Sequence, residues 1–346
     1  MMNTITKSLL VLAASSMTVA AQDANTEPLS VPAIVKLKIE RKPQSMKVLA
    51  AEGKNAFRYN TLEGPMIVRL KDCDTFFMRT PEDLAAALTD YQGNRLDAAR
   101  TKLAQVKNKY AMMIGLPDNA SATAAKLELD CAVRLMDWDA VKTLADKFPG
   151  KGDLGEGMPH RLDVAKLLGL LSEANSADTI IEQAKPLLEN KNKLTLEELG
   201  WLQYALGRAY AAKIPAAELE AGRLSEESVP VANQAIDAFS TVVVATYGGK
   251  LELPADAAAR AAILLFAMPD ANAAAARIGK MRDEATLKKL PATLKDAAAM
   301  ATIYQKLLNP GDNNEQLTQI ASYFVNEAKK KAPDSAKPAP SKPASK

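Results

Sequence analysis

The run Thr195-Leu196-Glu197-Glu198-Leu199-Gly200-Trp201-Leu202-Gln203-Tyr204-Ala205-Leu206-Gly207-Arg208-Ala209-Tyr210 carries the clearest local grammar in the chain. Thr195 followed three residues later by Glu198 is a capping box, in which each side chain satisfies the other's backbone N–H; such a cap is worth on the order of 1 kcal/mol and opens a helix. The same grammar extends in both directions, from Thr80 to about Ala328. Leu96, Ala99, Leu103, Val106 and Tyr110 recur at steps of three and four, as do Leu127, Cys131, Leu135 and Trp138, the spacing of one helix face. Thr80-Pro81-Glu82-Asp83 reads as the first helix start, with Thr80 as cap, Pro81 in the first turn and two acids at the positive end of the dipole. Leu116-Pro117-Asp118-Asn119, Phe148-Pro149-Gly150, Pro254, Pro269-Asp270 and Asn309-Pro310-Gly311 punctuate the run. Short helices in succession, separated by such breaks, predict antiparallel hairpins stacked side by side.

Leu206-Gly207-Arg208-Ala209-Tyr210 matches the Leu-Gly-x-x-Tyr core of a repeat's first helix, and Ala235-Ile236-Asp237-Ala238-Phe239 the Ala-x-x-x-Phe core of its second. In these residues the chain resembles the tetratricopeptide repeat (TPR) family. Gln203 stands where that family prefers Trp, Tyr247 where it prefers Pro, and about 16 extra residues separate the two helices. Leu96-Asp97-Ala98-Ala99 with Leu103, and the region of Asp137-Trp138-Asp139-Ala140-Val141, are degenerate traces of the same pattern. The resemblance implies a TPR-like α-solenoid over residues 81–328 that binds peptides or protein partners in a concave groove. It places Gln203, Tyr204 and Arg208 on that groove, and Leu206, Gly207, Tyr210, Ala235 and Phe239 in the packing. It further implies a non-enzymatic scaffold similar to periplasmic repeat proteins that act in envelope assembly. A cell-wall or glycan hydrolase and a self-assembling cell-surface protein are the alternatives.

Before residue 80 the period is two rather than 3.6. Val35, Leu37 and Ile39 alternate with Lys36, Lys38 and Glu40, and short apolar runs follow at Met46 and Val48, Phe57 and Tyr59, Met66–Leu70 and Phe76–Met78. Gly53 and Gly64 fall between them, where turns need positive φ. This predicts a small β module over residues 33–80, resembling SH3-like or Sm-like barrels in architecture. Residues 1–21, with Lys7, the apolar run from Leu9 to Ala14 and the ending Val19-Ala20-Ala21, read as a cleaved signal peptide, and 22–32 as a linker. The run is far shorter than the roughly 20 apolar residues that span a bilayer. The expected location is therefore periplasmic or secreted.

Residues 329–346 hold six Lys and one Asp with no aromatic or branched apolar residue, a composition that predicts a disordered basic tail. The whole chain is at +3; without Lys7 and the tail's +5, the body stands near −3. Such a balance excludes a dedicated nucleic-acid binder, which needs clustered positive charge, and leaves the tail as a weak contact for anionic envelope surfaces. The 62 alanines favour closely packed helices. One His and two Cys leave little for zinc or His-dependent catalysis, and no cofactor is expected. Gly150-Lys151-Gly152-Asp153-Leu154-Gly155 has dinucleotide-loop spacing, but follows a helix instead of the strand that such a loop requires. His160 reads as a capping or surface residue; Asp72-Cys73-Asp74 and Glu226-Glu227 read as solvated acids. Export permits a Cys73–Cys131 bridge, the alternative being two small buried hydrophobes. The alanine-dense Asp256–Met268 segment is apolar nearly all round, and reads as an inner helix of the array or as a docking face.

Overall fold

The N-terminal alternation closes into a five-stranded antiparallel sheet: β1 (Val31–Leu37), β2 (Gln44–Ala51), β3 (Ala56–Thr61), β4 (Gly64–Arg69) and β5 (Cys73–Met78), in the order β4-β3-β2-β1-β5. The computed structural model describes residues 29–53, 55–149, 158–245, 252–278 and 287–324. The signal segment, the Gly150–Gly155 loop, Tyr247 and the basic tail lie outside these. Val31, Ala33 and Val35 face one side of the sheet with Met46, Val48, Phe57 and Met78, all buried, as period two requires. The alternation stops earlier than Ile39. The β1–β5 register shifts between Lys36 and Leu37, the Glu40 N–H closes a turn onto the Leu37 carbonyl at 2.9 Å, and Ile39 is left 91% exposed.

Thirteen α-helices follow among the described residues: α1 (Glu82–Gln92), α2 (Leu96–Lys109), α3 (Ala120–Arg134), α4 (Trp138–Asp146), α5 (Met158–Gly169), α6 (Ala177–Glu189), α7 (Leu196–Ala212), α8 (Ala216–Ala221), α9 (Val229–Ala245), α10 (Glu252–Ala267), α11 (Pro269–Ile278), α12 (Ala292–Ile303) and α13 (Glu315–Ala321). A π-helical turn, Tyr304–Leu308, extends α12. The Thr195 and Glu198 capping box is formed at 3.2 and 2.8 Å. At α1 the cap falls one residue later than the sequence suggests, on Pro81, which has extended ψ and no side-chain bond to give. Asn119, Asp137 and Asn314 cap α3, α4 and α13 by accepting from the N–H groups of Ala122, Ala140 and Leu317. Asn119 is buried, and its amide also donates to the Leu116 carbonyl at 2.7 Å.

Residue 80 marks a change of secondary structure but not of core. The buried face of the sheet packs with Leu84 and Ala87 of α1, Leu103 and Val106 of α2, and Ala124 and Cys131 of α3 in a single apolar cluster. A second cluster begins on other positions of α3, Leu129, Ala132 and Val133, and continues to Tyr323. α3 is buried on both sides and joins the two. From there the helices pack on neighbours in sequence or on the next but one; the pair α7 and α9 is the most extensive, with short α8 set aside from it, and α10 packs on α12 past α11.

Two glycines set the closest helix approaches. A Cβ at Gly207 of α7 would stand 2.6 Å from the ring of Phe239 on α9, and one at Gly169 of α5 would stand 2.7 Å from the Cα of Lys142 on α4. Phe239 is fully buried there, so the Leu-Gly and Ala-x-x-x-Phe elements meet as the packing residues expected of them. A polar tie crosses three helices nearby. Arg161 on α5 is 5% exposed, is hydrogen-bonded to Asp130 of α3, reaches Glu197 of α7 at 3.2 Å, and lies 4.2 Å over the Trp201 ring. The alanine-dense helix α10 is an inner helix, covered by α9, α12 and α13 with smaller contacts to α7 and α11. No single helix among the described residues is long and apolar enough to cross a membrane.

Candidate functional site

Covering α10 on most sides leaves one face open. Its charged residues Glu252, Asp256 and Arg260 fall at successive steps of four, so they form one stripe on an otherwise apolar helix. That stripe faces a cleft of about 850 Å³, closed on one side by Arg134 and Asn94 from the α3 end and the α1–α2 turn, and on the other by Tyr304, Asn309 and Asn314. Ile263 and Leu308 add apolar floor.

Each carboxylate of the stripe is held by an arginine. The Arg134 guanidinium straddles Glu252, with Nη2 to Oε1 at 2.5 Å and Nε to Oε2 at 3.2 Å, a two-pronged arrangement that fixes direction as well as charge. Arg134 also donates to the Asn94 side-chain carbonyl and lies 5.5 Å over the Tyr91 ring. Arg260 donates to Asp256 at 2.6 Å. On the far wall the Tyr304 hydroxyl donates to Asp312 and accepts from the Asn309 amide at 2.9 Å. π-Helical turns recur where a helix must re-aim side chains at a site, and this one places Tyr304 and Leu308 at the cleft.

Of the three residues expected on a groove, the structure brings two partly to the surface and buries the third. Gln203 and Arg208 are half-buried. Tyr204 is fully buried, which corrects its expected place as an accessible contact. α10 covers that turn of α7, and the Tyr204 hydroxyl donates to Asp256 at 2.6 Å while accepting from Arg208 Nη1 at 3.1 Å. Its ring packs against Trp138 at 5.6 Å and edge-on to Phe239 at 6.2 Å. Burial, and then the neighbouring Asp256 carboxylate, push its phenol up to about 12. Tyr204 is thus a positioning residue beneath the stripe.

The residues that sequence reasoning passed over are Asp256, Arg260, Glu252 and Arg134. Three charges at a spacing of four on an alanine-rich helix was the available signal for the stripe. Arg134 had none, because its partner lies 118 residues away. The other candidates remain apart from the cleft. His160 sits half-buried in the first turn of α5. Asp72 is bonded to Arg69 and Asp74 to Lys36, each at 2.9 Å, and Glu226 and Glu227 are exposed in a turn. Cys73 and Cys131 form no disulfide with each other, Cys131 being buried and Cys73 half-buried; burial, with Asp72 and Asp74 beside it, pushes the Cys73 thiol up. No group of three or more His, Cys, Asp or Glu that could hold a metal occurs among the described residues. Comparison with family models, curated proteins and solved structures found no match to this chain.

Proposed function

We propose that the helical part is a TPR-like solenoid that acts as a non-enzymatic scaffold, holding a segment of a protein or peptide partner in the cleft along α10. The observation that carries this reading is the Glu252, Asp256 and Arg260 stripe facing a cleft of about 850 Å³ with three amides, Asn94, Asn309 and Asn314, around it. An extended peptide presents alternating donors and acceptors along its backbone, and amide side chains match both. The volume lies within the range of roughly 300–1,000 Å³ typical of clefts that take up a ligand. Because an arginine occupies each carboxylate of the stripe, the arrangement favours recognition over proton transfer. Packing of helices on partners close in sequence and the Gly207–Phe239 contact support the repeat reading. The strand order, with β1 between β2 and β5, supports an SH3-like or Sm-like module. With its signal peptide removed, the protein would work in the periplasm or as a secreted protein, in envelope assembly.

A photo-cross-linking amino acid at Ile263, in the cleft, should capture discrete partners in the source envelope. The same group at Val244, 78% exposed on α9, should not. Identical patterns from the two positions, or none from Ile263, would reject the cleft as the binding surface.

A further inference from the structure

A second cavity, of about 470 Å³, lies behind the cleft between the start of α6, the C-terminal half of α7, and α8. Arg260 lines both cavities, and Arg208 lines the second. The charges around it nearly cancel. Glu173 is paired with Lys142, Asp178 with Lys213 at 2.5 Å, and Arg260 with Asp256 at 2.6 Å. Arg208 is the exception: its Nη1 goes to the neutral Tyr204 hydroxyl, and no carboxylate among the described residues lies within ion-pair distance of it. Arg208 therefore has no carboxylate in direct contact, Asp256 being reached only through the Tyr204 hydroxyl.

The Nε and Nη2 atoms of Arg208 lie on one edge of the guanidinium and have no protein acceptor among the described residues. That edge pairs with two oxygens of a carboxylate or of a phosphate, and a single cation among otherwise paired charges suits a monoanionic carboxylate better than a phosphate dianion. The rest of the wall is of two kinds. Ile180 and Leu219 are aliphatic, whereas Asn175, Glu173 and Asp178 present an amide and lysine-anchored carboxylates, groups that bond hydroxyls. We propose that this cavity binds a hydroxylated small carboxylic acid, a sugar acid in size and chemistry, with the carboxylate on Arg208 and the hydroxyls on the Asn175, Glu173 and Asp178 rim. The site shares Arg260 with the partner cleft but stands whether or not a peptide binds there.

The test is calorimetric titration of the chain with D-glucuronate, D-glucose, N-acetylalanine and inorganic phosphate at constant ionic strength. Saturable binding of glucuronate, at least tenfold weaker binding of N-acetylalanine, and no binding of glucose or phosphate are expected. Arg208→Gln should weaken glucuronate at least tenfold. Because Arg208 also touches Tyr204, Leu219→Trp, which fills the cavity from the short outer helix, provides a variant outside that network and should abolish binding with an unchanged melting temperature. Phosphate or N-acetylalanine binding as tightly as glucuronate, no saturable glucuronate signal, or full binding by Leu219→Trp would each overturn the proposal.

Discussion

Tyr204 shows how one residue can carry a helix face's chemistry while hidden from solvent. Its folded-state phenol is raised to about 12, against about 10 in an unfolded chain. A raised value means that the neutral form is favoured by folding. The associated stability is therefore fully present below about pH 10 and is lost as pH rises from there through 12. After a stopped-flow jump to strongly alkaline pH, exposed tyrosines should ionise in the dead time and Tyr204 only as the chain unfolds. Buried Tyr110 and Tyr304, also raised by burial, add to the slow change, so Tyr204→Phe should lower its amplitude without abolishing it, and an unchanged slow amplitude would contradict the assignment. The same substitution leaves Asp256 with one donor fewer, at a cost of about 1.5–3 kcal/mol, the range for hydrogen bonds to charged groups. Its helix was legible in the letters and its burial was not. Periodicity identifies a face, but which face is covered depends on a partner helix whose Asp256 is 52 residues away.

Between elements, two glycines do the same job against different neighbours. Phe239→Ala should cost about 3–5 kcal/mol, the range for emptying a buried aromatic site. Gly207→Ala inserts a methyl 2.6 Å from that ring and should cost about 1–3 kcal/mol. In the double variant the two losses should fall well short of adding, because removing the ring makes room for the methyl; additive urea midpoints would show that the ring is not what the glycine accommodates. Gly169→Ala meets the backbone of Lys142 instead, and no side-chain truncation there should rescue it. The Leu-Gly pair at 206–207 was readable because it sat within a longer motif. The Leu-Gly pair at 168–169 stood alone, and only the approach of α4 reveals its purpose. The Arg161 tie follows a different logic. Asp130→Ala leaves the cation of Arg161, 5% exposed, with Glu197 at 3.2 Å and the Trp201 ring in place of its buried partner, and should cost up to about 3–5 kcal/mol, whereas replacing Asp130 and Arg161 together by Leu and Met should recover most of that loss in thermal melts.

At the scale of the whole molecule, the sequence divides where its periodicity changes, at residue 80, while packing divides within α3. The two disagree because hydrophobic burial does not respect secondary-structure type: the sheet has one apolar face and the first three helices supply its cover. The strand pattern, helix breaks and capping residues are all local, and local signals are what a chain displays in its letters. The cleft belongs to the other category, assembled from the α1–α2 turn, α10 and the segment after α12. Its most distant tie, Arg134 to Glu252, closes a span of 118 residues. Helices that pack on their sequence neighbours can form early, since short loops close fast, and so distant a contact comes late. The clasp should therefore govern how slowly the protein comes apart more than how quickly it assembles. Glu252→Gln should raise the unfolding rate extrapolated to water while leaving the refolding limb nearly unchanged, and a slowed refolding limb would place the clasp in the nucleus instead. By that reckoning one pair of side chains acts as a latch in time, setting the lifetime of the assembled cleft.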